Sequence, residues 1–188
     1  MQDLTITLAQ FDQIWEDKNA NLKQLDDLLI NLPQNTDLLL LPEMFHTAFT
    51  MNGELLAETM EDSLALNWLQ QLSQEKNTAI YTSFIVRDNG SLYNRGVFVE
   101  PDGNFHIYDK RKTFGLAGEN EVYASGNHEQ IVNWKGWKIN LQICYDLRFP
   151  ENIRNGISDD GNPRYDLLLY VANWPERRAL HWKTLLQA

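Results

Sequence analysis

The stretch DLLLLPE, residues 37–43, decides the fold class. Leu38 to Leu41 form a continuous aliphatic run, which is typical of a strand that is covered on both faces. A second run of this kind, DLLLYVA, spans residues 166–172. Both runs indicate sheets that lie between other layers of the structure. Pro42 ends the first run and places Glu43 directly after it.

Periodic segments around these two runs predict the other elements. Leu22, Leu25, Leu28, Leu29 and Leu32 have helical spacing, and short alternating or apolar segments elsewhere are typical of strands. Strands are predicted at 4–10, 37–41, 78–86, 92–100, 104–108, 130–134, 137–143 and 166–172, helices at 17–32, 62–76, 150–155 and 177–188, and a loop at 113–126. Because helices alternate with strands and hairpins, the sequence predicts an α/β fold with a mixed sheet.

The composition excludes several classes of function. The 188 residues include 16 basic and 26 acidic side chains, which gives a net charge of −10. An acidic chain repels phosphate backbones, so no nucleic-acid partner is expected. The longest aliphatic run is far too short to cross a bilayer, so no membrane association is expected. The N-terminal residues lack the basic flank and cleavage site of a secretory signal, so we expect a cytoplasmic protein.

Most of the common catalytic motifs do not occur in the sequence. The four histidines are scattered without the spacing of metal ligands, so no metal is expected. The glycine-rich phosphate-binding motifs and the GxSxG motif of serine hydrolases are absent. The one cysteine, Cys144, cannot form an intrachain disulfide, and it is either a buried apolar side chain or a nucleophile.

Three reactive side chains follow the ends of predicted strands. They are Glu43, Lys110 and Cys144, and active sites of open α/β sheets gather at the carboxyl ends of strands. A thiol, a carboxylate and an ammonium group form a plausible set for covalent catalysis, because the thiol needs a base and the attacked carbonyl needs a cation. Spacing alone leaves two other interpretations open, a solvated loop acid for Glu43 and a solvated basic patch for Lys110.

Local sequence favours the catalytic interpretation. The segments LPEMF (41–45), YDKR (108–111) and CYDLRFPE (144–151) resemble the three signature segments of the carbon–nitrogen hydrolase (nitrilase) superfamily, in the same order. The resemblance covers the whole chain, from LAQFD (8–12) to ANWP (172–175). Within the superfamily, the chain resembles most the branch of the bacterial omega-amidases, or 2-oxo acid amidases.

The resemblance implies a fold and a set of catalytic residues. The implied fold is a four-layer α-β-β-α sandwich. Glu43 matches the family's general base, Lys110 the lysine that stabilises the oxyanion, and Cys144 the nucleophile. Glu119 matches a second glutamate that orients the lysine, although a loop acid remains the alternative, and the backbone N–H of Tyr145 would complete the oxyanion site. The family's chemistry requires no metal or organic cofactor.

The resemblance also implies a substrate class, a small linear amide such as 2-oxoglutaramate or 2-oxosuccinamate. The carboxylate of such a substrate needs a cationic recess, for which Lys112, Arg177 and Arg178 are the candidates, with Trp174 as a possible wall or a buried structural residue. Lys112 stands where the family branch usually has histidine. An N-carbamoyl compound or a nitrile is the alternative substrate, and a non-catalytic fragment or a redox-sensing thiol is the alternative function.

The resemblance finally implies a domain organisation. Residues 1–188 are expected to form a single carbon–nitrogen hydrolase domain that lacks its C-terminal part, so that the sandwich is incomplete there. We expect a homodimer for the full-length protein, because the family commonly dimerises.

Overall fold

Two β-sheets form the centre of the computed structural model, which describes residues 2–159 and 161–188. The first sheet has the order β1-β2-β3-β4-β5, with β1 to β3 parallel and β3 to β5 antiparallel. Its strands are β1 (Ile6–Leu8), β2 (Leu38–Leu40), β3 (Ala79–Asp88), β4 (Ser91–Val99) and β5 (Phe105–Asp109). The second sheet contains β6 (Ile131–Trp134), β7 (Trp137–Ile143) and β8 (Leu167–Val171), with β7 antiparallel to β6 and parallel to β8. Both sheets are therefore mixed, as predicted.

Helices of different length accompany the two sheets. They are α1 (Lys18–Leu29), α2 (Gly53–Leu56), α3 (Leu64–Lys76), α4 (Glu119–Val122) and α5 (Ala179–Gln187). The side chain of Asp17 caps α1 by accepting a hydrogen bond from the Ala20 amide, and Ser63 caps α3 in the same way from the Leu66 amide. Polar caps of this kind satisfy amides that have no partner within a helix, which explains where both helices begin.

Strand β2 is covered on both faces, as its sequence predicts. Leu39 packs with α1 and α3 in one core cluster, whereas Leu38 and Leu40 pack in a second cluster with residues of β7 and β8, such as Leu141 and Leu169. On the outer face of the second sheet, Trp182 of α5 makes an edge contact with Tyr170 of β8. The layers are thus helices, first sheet, second sheet and helix, which confirms the α-β-β-α arrangement.

Some local predictions were wrong. The segment 113–126 is not a continuous loop, because it contains a 3-10 turn at Gly115–Ala117 and helix α4. Helix α2 was not predicted, and the predicted helix at 150–155 is only the 3-10 turn Pro150–Asn152. Leu28 is 45% exposed instead of facing the core, since Asn21 takes an inward position and the buried stripe of α1 shifts to that side.

Candidate active site

Glu43 lies at the carboxyl end of β2 and is held there by β3. The hydroxyl of Thr82 donates to the Pro42 carbonyl at 2.7 Å, and the Met44 amide donates to the Ser83 hydroxyl at 3.0 Å. These bonds fix the backbone on both sides of Glu43, whose side chain is completely buried. The carboxylate therefore has a set position and is not a solvated loop acid.

Lys110 directly follows β5 and is positioned by backbone contacts on two sides. Its amide donates to the Asn94 carbonyl at 3.0 Å, and its carbonyl accepts from the Gly126 amide at 2.9 Å. A β-carbon on Gly126 would lie 2.1 Å from the carbonyl oxygen of Asp109, so only glycine fits at this approach. Lys110 is 1% exposed, which excludes the solvated basic patch.

One ammonium group joins two buried carboxylates. Lys110 Nζ lies 2.7 Å from Glu43 Oε1, and 3.0 and 2.9 Å from the two carboxylate oxygens of Glu119. The side-chain amide of Asn94 bridges the same carboxylates, donating to Glu43 at 2.8 Å and to Glu119 at 3.1 Å. The cluster is held together by charge-assisted hydrogen bonds in a buried environment, where such bonds are strong.

Glu119 begins helix α4 and is also completely buried. Besides binding Lys110, it accepts a hydrogen bond from the Phe114 amide. It is therefore not a solvated loop acid, and it connects the segment around Phe114 to the ion cluster.

The charges in this cluster keep Lys110 protonated. Burial by itself would lower the pKa of the ammonium group, but the negative charges of Glu43 and Glu119 outweigh that effect and raise the pKa above its usual value. Lys110 is therefore a fixed positive charge and not a proton donor at neutral pH.

Cys144 follows β7 and opens the 3-10 helix Cys144–Arg148. Its φ is 47°, a left-handed conformation that is uncommon for a residue with a β-carbon. Burial raises the pKa of its thiol, and the negative charge of the nearby Glu43 carboxylate raises it further against the opposing effect of Lys110. The thiol therefore keeps its proton at rest, next to a carboxylate that can accept it.

Asp146 connects the cysteine loop to the lysine loop, and sequence reasoning missed this role. Its carboxylate accepts hydrogen bonds from the Ile143 amide at 3.0 Å, the Lys112 amide at 2.9 Å and the Tyr108 hydroxyl at 2.8 Å. Burial raises the pKa of Asp146. The three bonds set the distance between the backbones that carry Cys144 and Lys110.

Two asparagines were also missed. Asn173, in the ANWP segment (172–175), donates its backbone N–H to Glu43 Oε2 at 2.9 Å. Asn94 lies in the middle of the buried strand β4. A polar residue inside a strand that is otherwise buried was the available signal for it.

A small cavity opens beside Cys144. Its volume, counted at the centres of water-sized spheres that fit inside, is about 50 Å³. Its walls are mainly aromatic and aliphatic, with two cations among them. The lining residues are Phe49, Lys110, Phe114, Cys144, Tyr145, Asn173, Trp174, Pro175 and Arg178.

The cavity distinguishes among the predicted substrate-binding residues. Trp174 and Arg178 line it. Arg177 is exposed outside it, and Lys112 places its Nζ over the ring of Phe149, 4.8 Å from the ring centre. The structure thus brings together Glu43, Lys110, Cys144, Glu119, Tyr145 and Trp174, but it leaves Lys112 and Arg177 outside the cavity walls.

Residues 2–159 and 161–188 contain neither a membrane-spanning helix nor a metal-binding cluster. No helix there is long and apolar enough to span a membrane. In the same part of the chain, no cluster of three or more histidine, cysteine or acidic side chains has the geometry of a metal site.

Comparison with known proteins places this geometry in a family. Residues 5–188 match the family model described as carbon-nitrogen hydrolase. The chain is 42% identical over 188 residues to omega-amidase YafV of Escherichia coli (strain K12), covering 100% of this chain and 70% of that protein. It is 30% identical over 187 residues to the 2-oxoglutaramate amidase of Bacillus subtilis (strain 168), covering 98% of this chain and 70% of that protein.

A solved structure gives the same result. XC1258 from Xanthomonas campestris, described as a CN-hydrolase superfamily protein with an arsenic adduct in its active site, superposes with a TM-score of 0.94 at 40% sequence identity. The match covers 100% of this chain and 71% of that protein.

Proposed function

Because the chain belongs to the carbon–nitrogen hydrolase family, we propose that it releases ammonia from small linear ω-amides of 2-oxo dicarboxylic acids. Hydrolysis of amide C–N bonds is the reaction of this family and of the relatives described above, so the enzyme is an amidase. The substrate 2-oxoglutaramate is proposed from the name of the Bacillus subtilis relative, and 2-oxosuccinamate from the resemblance of the sequence to omega-amidases.

The first step is attack of Cys144 on the amide carbon. At rest the sulfur is protonated, because burial and the Glu43 carboxylate both raise the pKa of the thiol. Glu43 accepts this proton as the new C–S bond forms, so a thiolate develops only when the substrate is in place. The pair of π electrons of the carbonyl moves to its oxygen and makes an oxyanion.

Lys110 stabilises the oxyanion. Its ammonium group is held in place by Glu43 and Glu119 before the substrate arrives, so no reorganisation is needed in the transition state. Tyr145 follows Cys144 in the first turn of a 3-10 helix, where backbone N–H groups have no partner inside the helix. We assign its N–H as the second donor.

The tetrahedral intermediate then collapses to a thioester. Glu43 returns the proton to the amide nitrogen, the C–N bond breaks, and ammonia leaves. A water molecule next gives a proton to Glu43 and its oxygen to the acyl carbon. The C–S bond breaks, and the sulfur takes the proton back from Glu43. One amide and one water thus yield one carboxylic acid and one ammonia, and the enzyme is regenerated.

One observation carries this proposal: the 2.7 Å contact between Lys110 Nζ and Glu43 Oε1 in a buried cluster at the cavity that Cys144 lines. The test is an ammonia-release assay with 2-oxoglutaramate, N-carbamoyl amino acids and nitriles, run on the native protein and on Cys144→Ala. We expect turnover of the 2-oxo acid amide in the native protein and none in the variant. Turnover that survives in Cys144→Ala would refute the mechanism, and a preference for carbamoyl compounds or nitriles would refute the substrate class.

Two further properties belong to the proposal. We place the enzyme in the cytoplasm, because a catalytic thiol without a disulfide partner suits a reducing compartment. Cell fractionation tests this assignment, and recovery of the activity outside the cytoplasm would contradict it. The homodimer stays a prediction, which sedimentation of the protein tests.

A further inference from the structure

We propose that Arg178 binds the distant carboxylate of the substrate and thereby makes the enzyme selective for anionic ω-monoamides over neutral amides. This inference rests on the proposed function, because it assigns a binding residue to the end of the amide substrate that does not react. Of the three cations that the sequence suggested for this role, Lys112, Arg177 and Arg178, only Arg178 is selected.

The charges around the cavity leave Arg178 available for an anion. The two cations in the cavity wall are Lys110 and Arg178. Lys110 is bound by two carboxylates, whereas Arg178 takes part in none of the ten ion pairs found within residues 2–159 and 161–188. A partly buried guanidinium group beside an apolar cavity favours a carboxylate partner, to which it donates two hydrogen bonds in a planar arrangement.

Arg178 is held in position by its neighbours. Its guanidinium carbon lies 5.1 Å from the centre of the Phe114 ring, a cation–π contact. Its backbone carbonyl accepts a hydrogen bond from the indole N–H of Trp174 at 2.9 Å, and its amide donates to the Pro175 carbonyl at 2.8 Å. The two backbone hydrogen bonds fix the position of residue 178, and the cation–π contact restricts its side chain, which reduces the entropy lost on binding an anion.

Arg178 is connected to the reacting groups through Phe114. The guanidinium group lies over the ring of Phe114, the Phe114 amide donates a hydrogen bond to Glu119, and Glu119 binds Lys110. The proposed carboxylate site and the oxyanion site are therefore joined by one chain of contacts. A substrate that reaches from Cys144 to Arg178 would be held at both ends.

The other two cations do not fit this role. Arg177 is exposed and outside the cavity, and Lys112 lies against Phe149. The chain as a whole carries a net charge of −10, which repels an anionic substrate at long range. A local cation inside the cavity is needed to offset that repulsion.

The test compares two substrates that differ in charge but hardly in shape. Glutaramate carries an amide at one end and a carboxylate at the other, and glutaramide carries amides at both ends. Ammonia release from each is measured with the native protein, with Arg178→Met and with Arg178→Lys. Arg177→Met is the matched control, since it makes the same change at the adjacent, exposed position.

We expect Arg178→Met to lower kcat/KM for glutaramate about 10- to 100-fold, the effect of losing one charge-assisted pair, chiefly through a higher KM. Its kcat/KM for glutaramide should stay within about threefold of the native value. Arg178→Lys should be intermediate, because it keeps the charge and loses the planar fork. Arg177→Met should behave as the native protein does. Equal losses for both substrates, or no loss for glutaramate, would overturn the proposal.

A second measurement needs no turnover and separates this proposal from the proposed function. Alkylation of Cys144 by iodoacetamide is followed by mass spectrometry in the presence of glutaramate or glutaramide. Glutaramate should protect the native protein better than glutaramide does, and this advantage should vanish in Arg178→Met. If no amide is hydrolysed but the advantage is present, the proposed function fails and the Arg178 site stands. If the advantage is absent from the native protein, the Arg178 site fails.

Discussion

Replacing Lys110 by methionine should lower both the free energy of unfolding and kcat, and the two effects can be measured independently. The substitution keeps an unbranched side chain of similar length but removes the ammonium group that contacts Glu43 at 2.7 Å and Glu119 at 2.9 Å. Both carboxylates are completely buried and would retain only neutral donors such as Asn94. Removing one partner of a buried ion pair costs about 3–5 kcal/mol, so we expect a decrease of that size in the free energy of unfolding.

The catalytic loss has a different origin. Without the ammonium group the oxyanion loses a donor, which lowers kcat by about 10²–10³. The double variant Lys110→Met with Glu119→Gln distinguishes the two effects, because it removes one of the uncompensated charges. It should recover part of the lost stability, but its kcat should remain low.

Urea unfolding followed by tryptophan fluorescence gives the stability, and ammonia release gives the rate. Lys112→Met is the control, since it removes a lysine two residues away that lies against Phe149 and makes no ion pair within the described residues. The reasoning would be refuted by a Lys110→Met variant that unfolds within 1 kcal/mol of the native protein, a margin of about fivefold in the folding equilibrium. Recovery of native turnover in the double variant would refute the catalytic part.

Three further substitutions probe other parts of the site. Glu43→Gln should abolish hydrolysis, because it removes the general base. It should also speed alkylation of Cys144 by iodoacetamide between pH 7 and 9: besides burial, the Glu43 charge raises the pKa of the thiol, so its removal lowers that pKa and increases the thiolate fraction. Slower alkylation than in the native protein would contradict this. Three donors bind the two carboxylate oxygens of Asp146, and Asp146→Asn leaves them only one acceptor oxygen. The variant should therefore have a free energy of unfolding about 1–3 kcal/mol lower, as measured by urea unfolding. An unchanged urea midpoint would count against the role of this carboxylate. Gly126→Ala places a β-carbon 2.1 Å from the Asp109 carbonyl oxygen, so it should destabilise the fold and reduce turnover. Gly156→Ala is the control, because its nearest contact would be 3.5 Å and it should have neither effect. Equal melting temperatures of the two variants would be inconsistent with the close approach at Gly126.

The sequence predicted the positions of the reactive groups well because they follow strands. Glu43 follows a short aliphatic run and Cys144 follows a segment of alternating polar and apolar residues; both patterns predict strands, and the sheet then fixes the end at which the two residues lie. The family resemblance added Glu119, which no local pattern indicated. In the structure, Lys110 contacts both Glu43 and Glu119, and it lines the same cavity as Cys144.

Other features depended on tertiary contacts that no local pattern reveals. Asp146 follows Cys144 by two residues, and nothing in the sequence indicates that its carboxylate binds the amide of Lys112. Arg177 and Arg178 are adjacent and chemically identical, and only the turn that precedes α5 decides which of them faces the cavity. Leu28 fits a helical stripe, but the neighbouring layers decide which side of that stripe is covered.

The amide of Asn173 that binds Glu43 belongs to a residue 130 positions further along the chain. Contacts of such high sequence separation form late, because they require closure of long loops that earlier contacts must first shorten. During synthesis, which proceeds from the N-terminus, the general base is made long before the residue that orients it. A newly made chain that already contains Glu43, Lys110 and Cys144 is therefore still inactive. When the denatured protein refolds, we expect activity to return after the other structural properties.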